Sequence, residues 1–309
     1  MSSNAANQIL PLVFGHRGAS GYRPENTLEA FDLAWQQGSD AIECDLVPTA
    51  DGRLIIRHEN LLSHTTNIAS LPEFAEFRRK KFMIWRDVDD WCSEDLTLAQ
   101  IRQLRAIERL PELRPGSAKF DGQYAIPTLD ELVMADSSRG RTLILELKFA
   151  NYFLQLGQDT PRMLADELSQ LAWLERDIKL VIESFDYESL RRCVDYFDEL
   201  GLKESVQFVF LTESWRLPKD GPAEFQKYLD TVEEKFHGLS IEIKAIHELW
   251  PTAIQDIHAR GLRSFVWTAR AEDAETSIDE YYARIIELGA QGIFADQPDL
   301  LRASVDALA

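Results

Sequence analysis

Apolar runs of strand length alternate with stretches of helical period along nearly the whole chain, the pattern of a parallel sheet wrapped by helices. Eight runs read as strands, at roughly 12–15, 41–46, 143–147, 179–184, 206–211, 239–243, 264–268 and 292–295. Helix start signals fall between them. Asn26 with Glu29 precedes Leu28, Phe31 and Trp35, Thr128 with Glu131 forms a capping box, and Thr160-Pro161 opens a stretch with Leu164, Leu168 and Leu171 on one face. Eight strands, each followed by a helix, predict a (β/α)8 TIM barrel, with an open doubly wound sheet as runner-up. The 309 residues suit one such barrel, so a single domain over 1–309 is expected.

Two segments depart from the alternation. Leu54 to His58 follows Val47 after a loop containing Asp51-Gly52. That loop is too short for a parallel crossover, so 54–58 is expected to return antiparallel on strand two, at the barrel mouth. The stretch from about 60 to 126 is far longer than an ordinary βα loop. It carries Phe74, Phe77, Phe82, Trp85 and Trp91 and a capped helix start at Thr97-Leu98-Ala99-Gln100, which predicts a structured insertion. Such an insertion either shapes the pocket at the C-terminal ends of the strands or forms a satellite core of its own.

Charge and cysteine usage narrow the function classes. A formal charge of −19 argues against nucleic acid or an anionic bilayer as the main partner. Residues 1–11 hold no Lys or Arg and no sustained apolar segment, so neither a secretory signal nor an integral membrane segment is expected there. Cys44, Cys92 and Cys193 are odd in number and lack metal-type spacing, which fits a reducing cytoplasm.

The chemistry-bearing residues cluster at strand ends. In a strand, residues two apart share a face, so Glu43 projects with Asp45, and Glu146 with Lys148. Three carboxylates brought together repel one another unless they are protonated or bridged by a cation. An oxygen-only set selects a hard divalent ion, Mg²⁺ or Ca²⁺, over zinc. His16 sits in Gly15-His16-Arg17-Gly18, and His58 lies thirteen residues beyond Asp45. Two imidazoles beside such a cluster suit acid–base chemistry on an anion. Arg17 offers a planar cationic fork for an anion and Lys148 a point charge.

An ordered set of segments carries a family resemblance. His16-Arg17-Gly18, Arg23-Pro24-Glu25-Asn26-Thr27, Glu43-x-Asp45, Asp51-Gly52 through His58-Glu59, Glu146-x-Lys148, Trp267-Thr268 and Asp296-x-Pro298-Asp299 together resemble the glycerophosphodiester phosphodiesterases. Glu94-Asp95-Leu96-Thr97, Ile126-Pro127-Thr128-Leu129 and Asn151-Tyr152-Phe153 are similar to the longer bacterial and plant members that carry an insertion. The resemblance implies a metal-dependent hydrolase of glycerophosphodiesters, with His16 and His58 as catalytic acid and base in either order. It implies Glu43, Asp45 and Glu146 as metal ligands, and Arg17, Lys148 and Trp267 as phosphate or substrate contacts, Trp267 lining the glycerol or head-group pocket. Ordinary barrel packing explains Trp267 equally well. Tyr152 and Phe153 are candidates for a second wall, with apolar loop packing explaining them equally well, and Asp296 for tying a rim loop together. Departures from the family pattern are Glu59 after the second histidine, His64 where arginine is common, and Gln297 after Asp296. The alternatives are a lysophospholipase D, with the insertion's aromatics lining an apolar channel, and a non-catalytic barrel that binds phosphodiesters or a partner protein.

Overall fold

The computed structural model describes residues 10–83, 86–218, 220–249 and 251–309; residues 1–9 of the opening segment, and Trp85, lie outside them. The strands are β1 (Leu12–Gly15), β2 (Ala41–Pro48), β3 (Leu54–Ile56), β4 (Arg79–Met83), β5 (Arg86–Asp90), β6 (Thr142–Leu147), β7 (Lys179–Ser184), β8 (Val206–Thr212), β9 (Gly238–Glu242), β10 (Arg263–Ala269) and β11 (Gly292–Ala295). Parallel pairing runs β1–β11–β10–β9–β8–β7–β6–β2, and β2 returns to β1. The eight form a closed TIM barrel wrapped by helices, as the alternation predicts. Ends differ slightly from the sequence reading: Ile243 opens the helix Ile243–Glu248 instead of closing β9. No helix among the described residues is long and apolar enough to cross a membrane. Cys44, Cys92 and Cys193 are buried free thiols.

β3 pairs antiparallel with the far end of β2, Leu46 opposite Ile56 and Pro48 opposite Leu54. It ends at Ile56, the Arg57 amide still donating to the Asp45 carbonyl at 2.9 Å, and His58 follows at the barrel mouth, where it lines the cavity. The first helix, Leu28–Gln36, corrects one reading. Its cap is Thr27, whose side chain accepts from the Ala30 amide, not Asn26. Asn26 instead takes a left-handed conformation (φ 60°), which asparagine tolerates better than most residues, and aims its amide into the barrel. The capping box at Thr128 and Glu131 forms as expected.

The 60–126 stretch contains 3-10 turns (Asn67–Ser70, Pro72–Phe77), the antiparallel β4–β5 hairpin and the short helices Leu98–Ile101 and Pro115–Ala118. Leu62, Ile68, Phe74, Trp91, Leu96, Ile101 and Leu104 pack there with Val47 and Ile55 of the β2–β3 hairpin and with Phe153. This second core is fastened to the barrel through those three residues.

Period-two alternation decides what fills the barrel. The outward face of each strand joins the large core under the helices, Ile42 and Cys44 on β2 for example. The inward face begins with an apolar layer: Phe14, Ala41, Ile144, Val181, Val209, Phe265 and Phe294. Phe14 stands edge-on to Phe265 and Phe294, with centroids 5.0 and 5.1 Å apart. Gly292 gives that ring its room, since a Cβ there would lie 2.3 Å from Phe14. Two residues further along each of these seven strands stand His16, Glu43, Glu146, Glu183, Leu211, Trp267 and Asp296. The barrel is therefore plugged by apolar side chains below and charged above, at the C-terminal strand ends where TIM-barrel sites are built.

Candidate active site

The turn after β1 needs both of its glycines. A Cβ on Gly15 would lie 2.8 Å from that of Ala34, and one on Gly18 2.5 Å from the Ala30 backbone, with Gly18 at φ +79°. Held against the first helix in this way, the turn presents His16 and Arg17. The Arg17 amide donates to Glu43 Oε2 at 2.9 Å.

Glu43, Asp45 and Glu146 each bring one carboxylate oxygen within 4.8 Å of the others, all three side chains being buried. Lys148 Nζ lies 3.1 Å from Asp45 Oδ1 and donates to Glu146 Oε2 at 2.7 Å. Asn26 Nδ2 donates to Asp45 Oδ2 at 2.8 Å, and Arg17 Nε approaches the same oxygen to 3.3 Å. The three acids respond differently. Burial alone would raise Asp45, but Lys148, His58 and Arg17 together with the Asn26 bond hold it well below the usual carboxylate range. Burial raises Glu43 well above that range, with Asp45 and Glu146 adding repulsion. Burial likewise lifts Glu146 to about 7 against the pull of Lys148. A cation among these oxygens would relieve the same repulsion that raises Glu43 and Glu146. Glu43 Oε1 is buried without a hydrogen-bond partner. An orphaned acceptor in an all-oxygen set fits a hard divalent ion.

His16 Nδ1 lies 2.6 Å from Asp296 Oδ1. The carboxylate accepts the Nδ1 proton, so Nε2 keeps its lone pair for the cavity. Burial first, then the Arg17 charge, lower the His16 pKa to about 4 despite Asp296. His58 is pushed well below 6.5 by burial, Arg17 and Lys148. Its Nδ1 is 3.7 Å from Glu59 Oε1, beyond hydrogen-bond reach.

Both histidines, with Arg17, Glu43, Glu146, Lys148 and Trp267, line one cavity of about 1210 Å³. Asp45 lies just beneath, so all eight residues singled out from sequence converge on one end of the barrel. One arm of the Arg17 guanidinium is already committed, Nη1 donating to both oxygens of Glu25 at 3.0 Å. Phe153 is no cavity wall; it is fully buried in the second core, while Tyr152 does line the cavity. Residues not singled out as site residues are Glu25, Asn26, Arg109 and Glu183, and Asp296 does more than tie a rim loop. Asn26 was hidden by its resemblance to a helix cap, and the Glu183 and Asp296 placements follow only from the inward register of β7 and β11.

Residues 16–300 match the glycerophosphoryl diester phosphodiesterase family. The chain belongs to this family. Relatives across the family include the glycerophosphodiester phosphodiesterase of Haemophilus influenzae, 24% identical over 342 residues, with 96% of this chain and 91% of that protein covered. One from Bacillus subtilis is 29% identical over 303 residues, covering 94% and 84%. Among solved structures, an Oleispira antarctica phosphodiesterase in complex with the product sn-glycerol-3-phosphate superposes with a TM-score of 0.68 at 24% identity, over 96% of this chain and 97% of that one. That likeness is one of fold. The departures from the family pattern lie mostly off the chemistry. His64 is exposed and outside the cavity lining. Gln297 bridges the loop after β10, accepting from the Ala271 amide at 3.0 Å and donating to Glu272 at 2.8 Å.

Proposed function

We propose that this chain hydrolyses glycerophosphodiesters, such as glycerophosphocholine or glycerophosphoethanolamine, to sn-glycerol 3-phosphate and an alcohol. One observation carries the reading: in a chain of this family, two imidazoles, a buried carboxylate trio and a lysine meet along a single cavity. The curated relatives bear the name of that activity, and the Oleispira protein was solved with the corresponding product. Glu43, Asp45 and Glu146 would hold a hard divalent cation, which when bound supplies Lewis-acid stabilisation of charge on the phosphate oxygens. His16, neutral and with Nδ1 committed to Asp296, accepts the proton of the attacking hydroxyl or water at Nε2. His58 returns a proton to the leaving alkoxide. An arriving phosphodiester anion offsets the Arg17 and Lys148 charges that hold its basicity down. Lys148 keeps its proton through Asp45 and Glu146 against the cost of burial, and so offers a fixed positive charge.

The test is hydrolysis of several head groups with and without chelator. Release of sn-glycerol 3-phosphate is expected to stop on chelation and return with Mg²⁺ or Ca²⁺, and His16→Ala is expected to lower kcat roughly 10²- to 10⁴-fold. Activity that survives both treatments would exclude this mechanism. A second reading, lysophospholipase D activity, is favoured by large apolar side chains left exposed in the cavity lining: Phe82 (69%), Trp215 (68%) and Leu156 (51%). Lysophosphatidylcholine turned over in preference to glycerophosphocholine would establish it.

A further inference from the structure

The insertion sends one cation into the cavity. Arg109 lies in the irregular stretch between the insertion's two short helices and lines the cavity together with Arg17 and His58. Its side chain is 27% exposed, and Nε stands 3.1 Å from Glu25 Oε2. Both oxygens of that buried carboxylate also accept from Arg17 Nη1 at 3.0 Å. One carboxylate therefore holds two guanidinium groups side by side.

The sharing is unequal. Arg17 commits Nη1 to Glu25, while Nε faces Asp45 Oδ2 at 3.3 Å in an ion pair without a hydrogen bond. Arg109 meets Glu25 as an ion pair at Nε without a hydrogen bond, and no hydrogen bond from its terminal nitrogens is found among the described residues. A planar grip on two phosphate oxygens needs N–H groups from two nitrogens of one guanidinium. Arg109 has both terminal nitrogens to give, whereas Arg17 has Nη1 committed to Glu25 and Nε turned toward the Asp45 carboxylate.

We propose that Arg109 is a phosphate-binding residue, its terminal nitrogens engaging the non-bridging oxygens of the diester while Arg17 adds a single contact through Nη2. The bidentate grip expected of Arg17 thus passes to the insertion, and Glu25 positions both groups. This assignment rests on reading the cavity as a phosphodiester site. It also distinguishes Arg109 from a residue that only ties the insertion down, because a tie contributes to stability and not to anion affinity.

Arg109→Gln and Arg109→Lys separate the two roles. Binding of sn-glycerol 3-phosphate by calorimetry in the presence of Ca²⁺, KM for glycerophosphocholine and thermal midpoint are measured for each. For Arg109→Gln, product affinity is expected to weaken roughly ten- to hundredfold with a parallel rise in KM. Arg109→Lys should recover part of the affinity, having the charge without the fork. Ca²⁺ affinity should be unchanged, because Arg109 makes no ion pair with the carboxylate trio. Product bound as tightly by Arg109→Gln as by the parent chain would overturn the proposal. So would a loss that tracks the thermal midpoint equally in both variants. If the parent chain binds sn-glycerol 3-phosphate but does not hydrolyse the diester, the hydrolase reading fails while the Arg109 comparison still decides; if it binds neither product nor substrate, both fall.

Discussion

His16 is held from behind. Asp296 takes its Nδ1 proton with one oxygen, and the other oxygen, Oδ2, pairs with Arg114 at 2.5 Å and Arg270 at 3.1 Å. Those cations, with the His16 bond, keep the Asp296 carboxyl well below the usual range despite complete burial. A neutral amide in its place removes the charge that raises the His16 pKa and can present an N–H to Nδ1, leaving the proton on Nε2, where the base must be free. Asp296→Asn is therefore expected to cost about 10- to 100-fold in kcat with little change in KM, as for other groups that orient a reacting side chain. Steady-state kinetics across pH checks this. In the parent chain the acid limb belonging to His16 should lie below 6.5, toward about 4, and in Asp296→Asn it should move lower still.

At the scale of elements, the strands and the residues on them were readable because two local periods agree: apolar alternation marks the strands, and spacing by two puts Glu43 with Asp45 and Glu146 with Lys148 on one face. Glu183 and Asp296 follow the same rule, but only once Val181 and Phe294 are known to point inward, which depends on the closed register of the sheet. Arg109 was beyond reach because no period runs through its part of the insertion. For Phe153 the two readings stay level in sequence, because an aromatic five residues past Lys148 looks the same whether it faces substrate or a core. Its buried position makes it one of the residues that join the second core to the barrel, with Val47 and Ile55. Phe153→Ala should destabilise by about 3–5 kcal/mol, measured by denaturant unfolding. A cost under about 1 kcal/mol would mean that the site collapses around the loss instead of leaving a cavity.

For the whole molecule, protons and cation compete for one set of carboxylates. Glu43 and Glu146 have folded pKa values above their ordinary 4.5, Glu146 at about 7. The folded state then binds more protons than the unfolded chain between those values, so these acids erode stability as pH rises through about 4.5 to 7. His16 has the opposite sign: its folded value of about 4 lies below 6.5, so its share of stability is lost as pH falls through that window. Adding a divalent cation displaces protons from the acids and leaves the His16 contribution common to both measurements. The gain in thermal midpoint on adding Ca²⁺ or Mg²⁺ should therefore be small near pH 4.5 and grow toward pH 8, and Glu43→Gln should abolish most of it. Calorimetry at several pH values checks the slope, and a gain independent of pH would contradict the assignment of the trio. The three thiols extend the same scale of description. Cys44 stands in the barrel wall, Cys193 on the buried face of the outer helix Tyr187–Glu199 and Cys92 beneath the insertion's hairpin, each fully enclosed and each with its pKa raised by burial. An alkylating reagent can reach any of them only when its own neighbourhood opens, so the chain carries three native reporters from which the breathing of cylinder, coat and appendage is timed separately.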